Sequence, residues 1–295
     1  MNSKEYLASL YPQSTFPWIT KDGKFLAYGG NQAWFSRKTA GIGGCGPVAA
    51  ANALSALCRT HKVVSRRLHL DISPDGLLEF DNYHSFMEQV YKTIGSWEIP
   101  IYRKIYDVTG KKWKFGIQLQ PSYGGSVWRY LKKTIQFAYN HKVYLHSHFM
   151  PAAFCSRKKA LSFIAQGIAE SGSVAVLTAR NVHPLDTYAF PYTPTSTPAP
   201  QTIRNHFFTV TGIRKRDDDS YELLGTTWGK ISIIDFEELY QSWQSIRCVD
   251  ASLTYFTIAS DSKESLHDMV KAPFQLLYSL FCCLFGFMTI PFQNR

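Results

Sequence analysis

The sequence is short of acidic residues and short of charge altogether. Asp and Glu number 22 against 32 Lys and Arg, and charged residues make up 18% of the 295. With 45% hydrophobic residues, that scarcity excludes a disordered chain and implies a real core. Cysteine is scarce too: six, at 45, 58, 155, 248, 282 and 283, none at zinc-ligand or CxxC spacing. No disulfide framework or metal site follows from them. The opening "MNSKEYLASLYPQ" lacks the apolar core of a secretory signal, so a cytoplasmic, reducing compartment is expected, where thiols stay free. There is no internal repeat and no RNA- or DNA-binding signature. The net charge of +10 is spread in knots such as Lys132 with Lys133 and Arg214 to Arg216. These read as solvated side chains that steer an anionic partner, a membrane surface or acidic peptide, and not as a nucleic-acid site.

Long apolar runs are missing until the end. "FQLLYSLFCCLFGFMTI", residues 274–290, carries no charge and spans 17 residues, the lower limit of roughly 17–25 for a membrane helix. It is expected to associate with a membrane, leaving the main domain in the cytoplasm with its basic patches facing anionic lipid. A helix docked on protein is the alternative, because Gln275, Ser279, Cys282, Cys283 and Gly286 fall near one helical face.

The first 40 residues read as an irregular arm with turns at "KDG" and "YGGNQ". Glycines followed by a proline start a helix in "GGCGPVAAANALSAL". Further helices are predicted over Asp81 to Ile94 and Gly125 to Tyr139, from apolar residues at helical spacing. "KVYLHSHF" alternates as a strand, "RKKALSFIAQGIAESG" is a helix stopped by Gly172, and "SVAVLTARN" is a buried strand. Pro191 to Thr202 holds four prolines and is expected to be a loop. Three strands follow, "HFFTVTGIRKR", "SYELLGTTW" and "KISIID", the first pair joined by a turn at Asp217 to Ser220. Asp235 caps a helix in "DFEELYQSW". Helices first and an antiparallel sheet afterwards predict an α+β fold.

Cys45 has what a nucleophilic thiol needs, a helix start that offers partial positive charge and glycines that allow close approach. A small residue at a tight bend is the other reading of the same stretch. A general base must come from elsewhere, and among nine histidines His206 stands out, opening a strand that leads into a second ending in "TTWG". His146 and His148 share one face of a strand but lack a third metal ligand. His183, in "NVHP", reads as a solvent-facing turn residue.

In order, "GGCGPVAAANAL", "NHFFTVTGI" and "LLGTTWGKISIIDFEELY" resemble the papain-like cysteine peptidases, closest to the branch of double-glycine leader peptidases. The resemblance spans roughly residues 25 to 245. It implies a two-lobed α+β fold, a helical lobe plus an antiparallel sheet lobe, with no cofactor. It assigns Cys45 as nucleophile and His206 as base. Thr226, two positions before Trp228, stands where the family has Asn or Asp to orient the imidazole. Gln32 is the implied oxyanion donor beside the Cys45 amide, with Asn31 as fallback. The implied division is an arm over 1–30, a catalytic domain over 31–260 and a hydrophobic tail over 261–295. The implied activity is peptide-bond hydrolysis on a peptide or protein substrate. An acyl transferase using the same dyad and a non-catalytic peptide-binding module are the alternatives.

Overall fold

The computed structural model describes residues 3–37, 40–95, 97–98, 122–123, 127–178, 183–189, 192–193, 195–203, 205–245 and 251–270. β-branched and aromatic residues in the second half of the chain pair into one eight-stranded antiparallel sheet. Across it run β6 (Leu145–Pro151), β13 (Ser252–Ile258), β7 (Val174–Leu177), β10 (Phe207–Lys215), β11 (Tyr221–Thr227), β12 (Lys230–Asp235), β8 (His183–Tyr188) and β9 (Ala199–Ile203). The fold is thus mixed α+β.

Successive side chains of a strand point to opposite faces, and here each face receives its own helices. Ala175, Leu177, Phe207 and Phe256 join a core with α3 (Cys45–Thr60), α5 (Phe80–Ile94) and the helix Val127–Asn140, α6. Val174, Val176, Phe208 and Tyr255 join another with α7 (Arg157–Ser171) and α8 (Phe236–Ser245). In α3 every residue from Cys45 to Cys58 is buried. Its alanines let the sheet approach closely, while Leu54 and Leu57 each contribute about 1.5–3 kcal/mol of burial. Asp235 caps α8 as predicted, its Oδ1 accepting from the amides of Glu237 and Glu238.

Two stretches and one further residue differ from expectation. In place of an irregular arm, the chain begins with α1 (Ser3–Leu10) and a hairpin of β1 (Trp18–Lys21) and β2 (Lys24–Ala27). Leu7, Tyr11, Phe16, Trp18 and Tyr28 are buried against Leu224 and Ile231 of the large sheet, so packing orders a segment whose local signals are mostly turns. The hairpin turn itself falls at "KDG", with Asp22 and Gly23 both at positive φ. In the proline-rich stretch, residues 199–202 are not loop but the start of β9. It is the outermost strand of the sheet, where Pro200 costs no inner ladder bond. His183, read as a turn residue, opens β8.

His146 and His148 project from β6 towards separate partners. His146 Nδ1 lies 2.8 Å from Asp268 Oδ2, and His148 Nε2 lies 2.9 Å from the Thr257 hydroxyl. Asp268 and Ser265 belong to a helix over residues 262–270, α9, which docks by its polar face: Asp268 accepts from the Ser147 amide and Ser265 from the Leu145 amide. Leu266 and Val270 of that helix are exposed. Among the described residues no helix is long and apolar enough to cross a membrane. The run 274–290 lies outside them.

Candidate active site

Gly44 and α2 (Ala40–Gly43) set the start of α3. Gly44 is the N-cap, and a Cβ built on it would stand 2.3 Å from the Ala40 carbonyl oxygen and 2.7 Å from the Phe35 ring. Only glycine allows that tight a junction, so its role here is packing within the chain, not room for a ligand. Cys45 then occupies the first turn, 6% exposed.

From the sheet, His206 comes to the same place. Asn205, at φ 47°, turns the chain just before it. Thr178, following β7, clamps its backbone: the His206 amide donates to Thr178 Oγ1 at 3.1 Å, and the Thr178 amide donates to the His206 carbonyl at 3.0 Å. Cys45, His206, Gln32, Thr226, Thr227 and Trp228 all line one small cavity of about 10 Å³, roughly the room for a single water. The residues singled out in the sequence therefore converge.

Their contacts correct one assignment. Thr226 does not hold the imidazole; its hydroxyl donates to the Tyr28 carbonyl. The next residue does the work, with Thr227 Oγ1 2.6 Å from His206 Nε2. Neighbouring residues on β11 face opposite ways, so only one threonine of the pair can reach the ring. With Nε2 engaged by Thr227, Nδ1 is the ring nitrogen left for proton transfer. Cys45 and His206 are not hydrogen-bonded to each other in this closed arrangement.

Trp228 covers the imidazole, with ring centroids 4.8 Å apart. It does so from a strained position. Trp228 and Gly229 both have positive φ, at 52° and 73°, the two-residue turn that joins β11 to β12. Tyr28 and Gly30 brace that turn through the bonds Tyr28 N to Gly229 O and Gly229 N to Gly30 O. Gly29 between them sits at φ 81°, and a Cβ there would fall 2.7 Å from Thr226 Oγ1.

Gln32 reaches the cavity, but its Nε2 donates to the Gly41 carbonyl at 2.6 Å. An amide nitrogen has a second hydrogen to offer. Asn31 spends its Oδ1 on the Ala33 amide, capping a short 3-10 turn. Behind Cys45, buried Asn52 accepts from the Gly30 amide and the Tyr83 hydroxyl and donates to Thr209 Oγ1. The sequence signal for Asn52 was the one amide in the apolar "PVAAANAL"; Thr178 and Thr227 had none.

Burial governs the electrostatics. It pushes the Cys45 thiol above its ordinary range, although the amides of Phe207, Gly46 and Cys45 itself pull the other way. It also pushes His206 down to about 4. Both shifts run against charge, so burial favours a thiol and a neutral imidazole over an ion pair in the site at rest.

Comparison with protein-family models and with curated proteins returned no match.

Proposed function

We propose that the chain is a thiol-dependent hydrolase of peptide bonds, papain-like in its arrangement. The observation that carries this reading is the convergence of a helix-start cysteine and a hydroxyl-oriented histidine on one cavity. Cys45 attacks the substrate carbonyl carbon while its proton passes to His206 Nδ1. The Cys45 amide and the free N–H of Gln32 receive the oxyanion. His206 returns the proton to the leaving amine, and water then cleaves the thioester with the same base. Thr227 holds the tautomer that leaves Nδ1 as base. Because the cavity fits little more than one water, substrate must open it, and entry of a polar peptide group brings the hydrogen-bonding partners that an ion pair needs.

The closed cavity and the uncharged pair also favour a second reading, a papain-like module that binds a peptide without cleaving it. A peptidyl probe with a thiol-reactive end group separates the two. Labelling of Cys45 in preference to Cys58 and Cys155, with peptidase activity lost in folded Cys45→Ala, supports hydrolysis. Absence of labelling, or unchanged cleavage by Cys45→Ala, sinks it. If an added amine captures the acyl group ahead of water, the chemistry is transfer.

The setting we propose is cytoplasmic, with residues 274–290 directing the protein to an anionic membrane surface. Support comes from the basic charge and from α9, which turns Leu266 and Val270 outward just before that run.

A further inference from the structure

A second cavity, of about 140 Å³, opens at the other end of α3. Arg59 on its rim lies fourteen residues beyond Cys45, which at 1.5 Å per residue places it about 21 Å along the helix from the thiol. The cavity is separate from the candidate active site in position and in character.

Its walls are largely aromatic and apolar. Phe16 packs edge-on to Tyr28 and Trp18 packs tilted against it, with ring centroids 5.1 Å and 4.9 Å apart. Leu7, Ala8 and Leu224 add apolar surface, and Ser14 and Thr15 add hydroxyl-bearing side chains to the same wall. The mouth is charged: Lys4 and Arg59 face one acidic residue, Asp75. Lys4 is held there by a hydrogen bond from its Nζ to the Asp75 carbonyl. Arg59 has no ion pair or hydrogen bond from its guanidinium among the described residues.

We infer that this cavity binds a small monocarboxylate whose body is a single ring or a short branched chain. Size sets the body, since an apolar cavity of about 150 Å³ takes up benzene. Charge sets the head group. A guanidinium presents paired N–H donors that match a carboxylate, and two cations against one anion leave the rim net positive. The Asp75 carboxylate disfavours a doubly charged head such as a phosphate ester. The ring lies against Phe16, Trp18 and Tyr28, and the carboxylate lies at Arg59 with Lys4 beside it. This assignment is independent of whether Cys45 is catalytic.

The full chain, titrated at fixed ionic strength with benzoate, 4-methylpentanoate, benzyl alcohol and benzylammonium, tests the inference. Binding is read from the shift of the Trp18 indole N–H resonance and from the thermal midpoint. Benzoate and 4-methylpentanoate are expected to bind about 10-fold more tightly than benzyl alcohol or benzylammonium, the worth of a charge-assisted hydrogen bond. Arg59→Gln, a change at a half-buried side chain, should erase that preference while leaving benzyl alcohol binding in place, and Lys4→Gln should reduce it. The inference is overturned if none of the four moves Trp18, if benzoate binds no better than benzyl alcohol, or if Arg59→Gln and Lys4→Gln both fold and keep the full preference.

Discussion

Thr227 Oγ1 lies 2.6 Å from His206 Nε2, and this hydroxyl, not that of Thr226, fixes the orientation of the imidazole. Removing it should cost the net worth of one neutral hydrogen bond, about 0.5–1.5 kcal/mol. Thr227→Val is therefore expected to lower kcat/KM of peptide cleavage about 3- to 10-fold with KM little changed. Thr226→Val removes the bond to Tyr28 instead and should lower the denaturant midpoint while keeping more of the activity. Equal activity losses in two equally stable variants would argue against the division of labour between the two threonines.

The meeting of Cys45, His206 and Gln32 at one cavity was legible in the sequence. Cys45 was marked by the glycines and proline of a helix start, and His206 by its place at the head of a strand. Thr226 was expected against the imidazole and Thr227 stands there, because a sequence pattern locates a strand more firmly than its phase, and one residue of phase reverses the face. Thr178 acts through the backbone of a distant segment, so nothing nearby in the chain announces it, and Asn52 was marked only as the one amide in an apolar run. The same limit explains residues 3–28. Their order comes from burial of Tyr11, Trp18 and Tyr28 against Leu224 and Ile231, about 200 positions later in the chain. The prolines near β9 were read as breakers, a rule that weakens at a sheet edge.

Acid should weaken the fold through His206. Its folded pKa, about 4, lies below the ordinary value of 6.5, so the unfolded chain binds the extra proton first. Stability from this group is complete above about pH 6.5, falls as pH drops towards 4, and changes no further below that. The full effect is on the order of 3 kcal/mol. Urea unfolding at pH 7.0 and 4.5 should show a smaller loss for His206→Leu than for the unsubstituted chain. An identical loss in both would place the sensitivity elsewhere.

Glycines flanking Cys45 should differ sharply in their tolerance of a methyl group. A Cβ at Gly44 meets the Ala40 carbonyl oxygen at 2.3 Å, and backbone cannot yield cheaply. At Gly46 the nearest atoms belong to the Phe207 ring at 3.6 Å and beyond, an ordinary contact. Gly44→Ala is expected to lose about 1–3 kcal/mol, the range of overpacked sites, and Gly46→Ala less than about 1 kcal/mol. Chemical denaturation of both variants measures the contrast. If Gly44→Ala proves as stable as Gly46→Ala, the tight joint between α2 and α3 is not what holds Cys45.

Trp228 joins strain to burial, and the two can be separated by substitution. A bulky residue at φ 52° costs about 1–2 kcal/mol, a cost glycine does not carry. Its ring also shields His206, whose depressed pKa has burial as its cause. Trp228→Gly suits the turn but uncovers the imidazole, so His206 should titrate nearer to 6.5 in proton NMR. Trp228→Ala should raise the pKa similarly while keeping the backbone strain, and should unfold at lower denaturant than Trp228→Gly. Acid sensitivity must shrink along with the pKa shift, since both express the same difference in proton binding between folded and unfolded chain. A His206 that still titrates near 4 without the indole would show that the shielding comes from Phe207 and the strands behind it.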